Sequence, residues 1–188
     1  AMQAMNGLDQ LQPVDGMGPV GEIRMVPDLE TFRVLPYAPR TGAVLVDHVT
    51  LDGEPAPQCP RSFLKRMEAR LGDRRLEVSF ENEFSLATRT ETGYDPVDES
   101  LCFSTIGMTA SQAYVDSLVE ALDAQGIPLE QYYAELGHGQ QEISTPHAPA
   151  LRAADEQVLV RETIRGVASQ HGLVASLAPK PWPGGAGN

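Results

Sequence analysis

The amino-acid sequence predicts a mixed α+β fold. Short β-branched runs separated by Gly and Pro occupy residues 20–57, a pattern that favours strands and hairpins. Three later segments carry apolar residues at helical spacing, and strand-like segments lie between them. Because the 188 residues show no internal repeat, we expect strands and helices mixed along the chain rather than a solenoid.

The chain changes character near residue 58. Before this point, a β-branched run leads into Asp52-Gly53, which is a typical hairpin turn. After it, Pro60 stands at the expected start of a helix, whose apolar side chains share one face. That face comprises Phe63, Met67 and Leu71. We therefore divide the chain into residues 1–58 and residues 59–188.

Two further helices are predicted in the second part, one within Met108–Pro128 and one within Pro149–Gly172. The helical spacing of the first is carried by Ala113, Val115, Leu118, Val119 and Leu122. The predicted buried stripe of the second is Val158, Val160, Ile164 and Val167. Strands are expected at residues 129–136 and 173–181, on either side of the last helix.

Residues 76–86 alternate apolar and polar side chains, as a half-buried strand does. The even positions carry Leu76, Val78, Phe80, Phe84 and Leu86, and the odd positions carry Glu77, Ser79, Glu81, Glu83 and Ser85. Carboxylates two residues apart on one strand face are about 6.5–7 Å apart. They repel each other unless water, a cation or a basic partner intervenes. A solvated acidic face and a cation site therefore both fit this stretch.

A second acidic segment surrounds a loop with two glycines, Gly137 and Gly139. A strand, a sharp reversal and a second strand would bring Glu135 and Glu142 close to each other. Beside the strand of Glu81 and Glu83, this hairpin would place four carboxylates in one cavity. Such a cluster requires divalent cations, and its all-oxygen donor set suits Mg²⁺ or Mn²⁺.

Other residues of the same region have two readings. Glu130 fits an exposed strand position as well as a place in the cluster. His138, His147 and His171 have no metal-ligand spacing to one another, so loop or helix-cap positions suit them equally well.

The composition limits the classes of function. Fourteen Lys and Arg face 26 Asp and Glu, and this net charge of −12 disfavours a nucleic-acid partner. The two cysteines, Cys59 and Cys102, are too far apart in sequence for a zinc motif, and they fit a reduced, cytoplasmic setting. No apolar run is long enough to span a bilayer, so no membrane partner is expected.

Six segments of the chain, in order, resemble the glutamine synthetase family. They are VPDLETFRVLPYAP, DGEPAPQCPRSFLKR, FENEF, AELGHGQQE, AADEQVLVRETIRGVASQHGL and APKPWPGGAGN. The resemblance implies a partial N-terminal β-grasp domain, followed by the first part of a catalytic domain with an antiparallel sheet and packed helices. It also implies a homo-oligomer, a dodecamer-like double ring, and a fragment that lacks both ends of the family's chain.

The resemblance assigns four metal ligands. The E-x-E pair of the family corresponds to Glu81 and Glu83, and its paired glutamates around the G-Q loop correspond to Glu135 and Glu142. The metal would be Mg²⁺ or Mn²⁺, with ATP as a co-substrate.

Other site positions follow from the same resemblance. Glu130 matches a position that contacts the nucleotide, and Gly187 matches a glycine whose backbone meets the substrate glutamate. Ammonia-using members usually carry Asn at the preceding residue, where this chain has Ala186. They also carry an FDGSS-like loop with a catalytic Asp, for which Asp9 is the nearer match in spacing and Asp15 the second.

The resemblance implies an ATP-dependent ligase that joins the γ-carboxylate of glutamate to an amine through a γ-glutamyl phosphate. The departures at Ala186 and at the FDGSS-like loop favour an organic amine, such as a polyamine, ethanolamine or an alkylamine. The alternatives are a glutamine synthetase that uses ammonia and a non-catalytic scaffold of the same fold. The scaffold reading is disfavoured because none of the four glutamates is missing.

Overall fold

A computed structural model describes residues 3–187, which divide into two compact units. The first unit contains the residues up to Phe32 together with Ala43–Leu76, and the second contains Arg33–Gly42 together with the residues from Glu77 onward. The predicted α+β class is confirmed, since short antiparallel strands are interspersed with four α-helices in the described residues.

The regular structure of the first part of the chain before residue 58 consists mainly of short strands. The first six are β1 (Ala4–Met5), β2 (Leu11–Gln12), β3 (Arg24–Pro27), β4 (Arg33–Val34), β5 (Gly42–Ala43) and β6 (Val46–Val49). Within the first unit, β1 pairs antiparallel with β2, and β3 pairs antiparallel with β6. Strands at residues 20–57 are therefore confirmed.

Helix α1 (Pro60–Ala69) begins at the predicted proline. The Sγ atom of Cys59 caps it by accepting a hydrogen bond from the N–H of Ser62 at 3.4 Å. Phe63, which the helical spacing placed on the buried face, is 53% exposed. The buried residue of this helix is instead its neighbour Ser62.

Arg61 carries an ion-pair cluster inside the first unit. Its guanidinium lies 2.6 Å from Oδ2 of Asp28 and 3.0 Å from Oδ2 of Asp47, and Lys65 also binds Asp47 at 2.5 Å. The hydrogen bond from Arg61 is the largest cause that lowers the pKa of Asp28 below its ordinary value. The arginine side chain is 9% exposed, so its removal would leave nearby carboxylates short of a partner.

We expect Arg61→Met to destabilise the protein by about 1.5–3 kcal/mol at pH 7, the range for a lost hydrogen bond to a charged group, because Asp28 and Asp47 remain partly exposed to solvent. The pKa of Asp28 is depressed in the folded protein. Ionised Asp28 therefore stabilises the fold above its ordinary pKa of 3.8, and this stabilisation is lost as the pH falls through the folded-state pKa. Urea denaturation at pH 7 and pH 3 checks this. The explanation would be contradicted if the difference in free energy of unfolding between the wild type and Arg61→Met were as large at pH 3 as at pH 7.

The second unit is built on an antiparallel sheet. Its strands are β7 (Glu77–Val78), β8 (Glu81–Arg89), β9 (Tyr94–Pro96), β10 (Gln131–Ala134), β11 (Gln140–Ser144), β12 (Ala148–Pro149) and β13 (Val174–Ser176). The main sheet has the order β10-β11-β8-β13, and β9 pairs with the C-terminal end of β8. The short strand β7 pairs separately with β12.

The continuous strand expected over residues 76–86 is therefore wrong. The strand breaks at Ser79-Phe80, and Glu77 belongs to a different two-stranded sheet from Glu81 and Glu83. The break has a physical cause, because β7 pairs with β12 and β8 pairs with β11, and Ser79 and Phe80 belong to neither register, although the carbonyl oxygen of Phe80 accepts a hydrogen bond from the N–H of Thr145 at 3.3 Å.

Three further helices complete the unit, namely α2 (Thr105–Ala110), α3 (Gln112–Ala124) and α4 (Ala150–Gln170). The first predicted helix is thus divided in two at Ser111, whereas the second is confirmed over nearly its whole length. Val115, Leu118 and Leu122 are buried as their spacing predicts, but Val119 is 41% exposed. Likewise Val160, Ile164 and Val167 are buried, while Val158 is 49% exposed and lies off the stripe.

The helices cover one face of the sheet. The even-numbered residues of β8 point toward the helices. Phe84 packs edge-on against Tyr114 of α3, with the ring centroids 6.1 Å apart. Asn82 accepts a hydrogen bond from the side chain of Gln157 of α4 at 2.7 Å. Ile143 of β11 is fully buried on the same face. The odd-numbered residues of β8 therefore lie on the opposite face. Among residues 3–187, no helix is both long and apolar enough to cross a membrane.

Candidate functional site

The face of the sheet opposite the helices gathers carboxylates across its central strands. Glu83 of β8 lies directly opposite Glu142 of β11, and Glu142 lies directly opposite Tyr133 of β10. Glu81 is two residues from Glu83 on the same strand, and its cross-strand partner is Ser144. Side chains directly opposite each other have Cβ atoms about 4.5–5.5 Å apart. The register thus brings Glu83 and Glu142 side by side.

The tight loop of the β10–β11 hairpin adds Glu135. Its backbone N–H donates to the carbonyl oxygen of Gln140 at 2.9 Å, which closes the hairpin as the sequence predicts. The charge of Glu135 acts on both Glu142 and Glu83. The structure therefore brings together Glu81, Glu83, Glu135 and Glu142.

Burial and mutual repulsion disfavour ionisation of this cluster. The pKa of Glu83 is raised, first by burial and then by the charges of Glu135 and Glu81. The pKa of Glu142, which is 6% exposed, is raised by burial first and also by Glu135 and Glu81. Raised carboxyl pKa values mean that the anionic forms lack a compensating positive charge.

Two neutral donors hold carboxylates of the cluster. The hydroxyl of Tyr133 donates to Oε1 of Glu142 at 3.0 Å, and Nε2 of Gln140 donates to Oε2 of Glu83 at 2.5 Å. The hydrogen bond to Glu142 is the largest cause that raises the pKa of Tyr133. Because both donors are neutral, they orient the carboxylates without cancelling their charge.

The donor set fits a hard divalent cation in its chemistry. Four carboxylates supply oxygen ligands only, and a cation would relieve the repulsion that raises the pKa of Glu83 and Glu142. Within the part of the chain that the structure describes, however, no group of three or more His, Cys, Asp or Glu side chains is already arranged to hold a metal ion. Glu142 and Glu83 instead accept hydrogen bonds from the neutral donors Tyr133 and Gln140.

The remaining predicted site residues lie in three places. Glu130 is exposed and immediately precedes β10, where its N–H donates to the carbonyl of Ser144 at 2.9 Å. Glu130 and Tyr133 are an odd number of residues apart, so the alternation of side chains along a strand places Glu130 on the face opposite the carboxylate cluster. Gly187 is joined to the cluster, since its carbonyl oxygen accepts a hydrogen bond from Nε2 of Gln140 at 3.4 Å. Asp9 belongs to the first unit, in the exposed turn between β1 and β2.

A cavity of about 440 Å³ opens on the same side of the sheet. Its walls include Ser85, which is two residues from Glu83, together with loop residues Gly137 and His138 and the segment 182–186. Two of the sequence motifs, AELGHGQQE and APKPWPGGAGN, therefore border one cavity beside the carboxylates.

Sequence reasoning missed several residues at the site. Gln140 and Glu142 have the same parity on one strand, so alternation alone could have placed Gln140 beside the cluster. Tyr133 could have been placed only with the hairpin register known. No sequence pattern indicated that Cys102 and Phe103 lie beside the cluster. Burial first and then the charge of Glu135 raise the pKa of Cys102. Phe103 packs edge-on against Tyr133, with the ring centroids 5.5 Å apart.

An antiparallel sheet that is backed by helices and gathers carboxylates from several segments beside a cavity defines a candidate metal-dependent enzyme. Comparison with known sequences identifies the family. The glutamine synthetase catalytic domain matches residues 57–188, and the glutamine synthetase N-terminal domain matches residues 1–56. The chain belongs to the glutamine synthetase family.

Three relatives show the range of the similarity. The chain is 34% identical to gamma-glutamylpolyamine synthetase of Streptomyces coelicolor over 96% of its length and 40% of that protein. It is 30% identical to a glutamate–isopropylamine ligase of Pseudomonas over 89% of its length and 39% of that protein. A solved complex of GmaS with ADP aligns with a TM-score of 0.84 at 29% identity, covering 92% of this chain and 41% of the other. The chain thus spans about two-fifths of the relatives that it matches.

Proposed function

We propose that the protein containing this chain is an ATP-dependent ligase that joins the γ-carboxylate of glutamate to an amine through a γ-glutamyl phosphate. The observation that carries the proposal is the convergence of Glu81, Glu83, Glu135 and Glu142 on the face of the sheet opposite the helices. A non-catalytic scaffold would have no reason to keep a cluster of buried and mutually repelling carboxylates. Support also comes from relatives named as glutamate–amine ligases.

The four glutamates would hold Mg²⁺ or Mn²⁺ through their carboxylate oxygens. When bound, divalent cations neutralise the charges of the phosphoryl group and of the glutamate carboxylate, which otherwise repel each other. The side chains of Tyr133 and Gln140 orient Glu142 and Glu83 for this task. The backbone of Gly187 would meet the substrate glutamate and Glu130 would contact the nucleotide, both assigned through the family resemblance.

We propose an organic amine as the acceptor, with ammonia as the alternative. The proposal rests on Ala186 and on the absence of an FDGSS-like loop, for which Asp9 remains the proposed substitute. Identity to the relatives does not decide between the two, because type-1 glutamine synthetase 1 of Dictyostelium discoideum is 33% identical. We further propose a cytoplasmic homo-oligomer, a dodecamer-like double ring.

The full-length protein tests both levels of the proposal. With ATP, Mg²⁺ and glutamate, we expect ADP release that depends on an added amine, and a product whose mass equals that of the γ-glutamyl amide. Across ammonium, ethanolamine, isopropylamine and a polyamine, an organic amine should exceed ammonium at least about tenfold in kcat/KM, a difference of about 1.4 kcal/mol. A preference for ammonium would establish the glutamine synthetase alternative. No ADP release with any amine would end the proposal.

A further inference from the structure

Gln140 occupies an unusual position between three parts of the candidate site. Its side chain is 3% exposed. Its Nε2 atom donates to Oε2 of Glu83 at 2.5 Å and to the carbonyl oxygen of Gly187 at 3.4 Å, while its Oε1 atom accepts from the N–H of Gly137 at 2.6 Å. One buried amide thus contacts a carboxylate of β8, the loop that follows Glu135, and the segment at Gly187.

The partners fix the orientation of this amide. A backbone N–H can only donate, so the atom that faces Gly137 must be the amide oxygen. A carboxylate can only accept, so the atom that faces Glu83 must be the amide nitrogen. A flipped amide would lose both contacts and oppose like groups, and the side chain therefore has one satisfied orientation.

The chemistry of the donor suits a site that takes a cation. The amide of Gln140 presents an N–H group to Oε2 of Glu83, on the face of the sheet that also carries Glu142. This hydrogen bond limits the orientations of the carboxylate. Because the amide carries no charge, it does not compete electrostatically with a cation, as Lys or Arg at this place would.

We infer that Gln140 is a positioning residue, which orients the carboxylate of Glu83 for a divalent cation and holds the backbone at Gly187 in register with it. The inference rests on the proposed function and deepens it, since it links the metal side of the site to the glutamate side through one side chain. Partners that orient metal ligands typically contribute about 10–100-fold to metal affinity or activity.

The neighbouring residue provides a matched control. Gln141 is fully buried on the opposite face of β11, where it accepts from the hydroxyl of Tyr132 at 2.7 Å and donates to the backbone carbonyl of Gln140 at 3.0 Å. Gln140→Met and Gln141→Met each remove one buried amide at nearly constant volume. They should therefore cost similar stability, whereas only the first removes a contact to the carboxylate cluster.

The experiment measures Mn²⁺ binding by electron paramagnetic resonance, the melting temperature without metal, and KM for glutamate, all on the full-length protein. We expect Gln140→Met to weaken Mn²⁺ binding by about 10–100-fold and to raise KM for glutamate, and Gln141→Met to leave Mn²⁺ binding within about twofold. Gln140→Asn keeps the amide but shortens its reach by about 1.5 Å. It should weaken Mn²⁺ binding as well, and it serves as the test should the methionine variant not fold.

The outcomes separate this inference from the proposed function. A wild-type protein that binds Mn²⁺ and forms product, with Mn²⁺ affinity unchanged in the Gln140 variants, would overturn the inference alone. Equal weakening in Gln141→Met would also overturn it, because the effect would then reflect general loss of packing. A wild-type protein that binds no Mn²⁺ would overturn the metal site and the inference together.

Discussion

Replacing Glu83 with Gln in the full-length protein is expected to lower divalent-cation affinity by more than about 100-fold, beyond the effect of losing an outer-shell partner. Amide oxygen is a much weaker ligand than carboxylate for a hard cation. The fold should persist, because Gln keeps the shape of Glu and its carbonyl oxygen can still accept from Nε2 of Gln140. Without metal, the melting temperature should stay constant or rise, since Glu83 directly faces Glu142 and like charges in that arrangement are destabilising.

A loss of cation affinity together with an unchanged or higher melting temperature without metal distinguishes a metal site from a solvated acidic face. Mn²⁺ titration and calorimetry with and without metal measure them on one sample. Glu77→Gln is the matched control, because Glu77 is an exposed glutamate on β7, in a sheet separate from the cluster. Wild-type Mn²⁺ affinity in Glu83→Gln, or an equal loss in Glu77→Gln, would contradict the assignment of Glu83 as a ligand.

The comparison of Glu77 with Glu83 also shows what alternation can predict. A period of two correctly places Glu81, Glu83 and Ser85 on one face of β8, because the pleat alone decides this. It cannot predict where a strand changes its partner. Glu77 shares the parity of Glu83, yet β7 pairs with β12 while β8 pairs with β11 and β13. Such a change depends on segments that lie far along the chain.

The same distinction explains the helices and the rest of the site. Helix α4 follows its apolar stripe, but the break at Ser111 between α2 and α3 is not signalled by Gly or Pro. The proximity of Glu135 and Glu142 could be predicted from one hairpin, since Glu135 begins its tight loop and Glu142 lies only two residues beyond the first residue of the strand that follows. The contacts of Gln140 with Glu83 and Gly187 could not, because the three residues span more than 100 positions of the chain.

The hairpin loop depends on Gly139, and Gly139→Ala is expected to have the second large effect. This glycine has φ +64°, a left-handed conformation that costs other residues roughly 1–3 kcal/mol. In addition, a Cβ atom here would lie far inside the contact distance of the Leu86 carbonyl oxygen on β8. A backbone atom in a paired strand cannot move aside as a flexible side chain can. The loop would have to shift; Glu135 is its first residue, and Glu142 lies on the strand that follows it, two residues beyond Gln140.

Gly172→Ala separates the two causes. Gly172 follows α4 with φ +68°, but no atom lies within 4 Å of where its Cβ would be, so this variant carries only the conformational cost of about 1 kcal/mol. We expect Gly139→Ala to lose at least about 3 kcal/mol in urea denaturation and to lose Mn²⁺ binding, whereas Gly172→Ala keeps it. Equal losses of stability in the two variants would show that the approach to Leu86 is not a tight one. Retained Mn²⁺ affinity in Gly139→Ala would show that the carboxylate cluster does not depend on the geometry of this loop, and that the two strands alone hold Glu83 and Glu142 together.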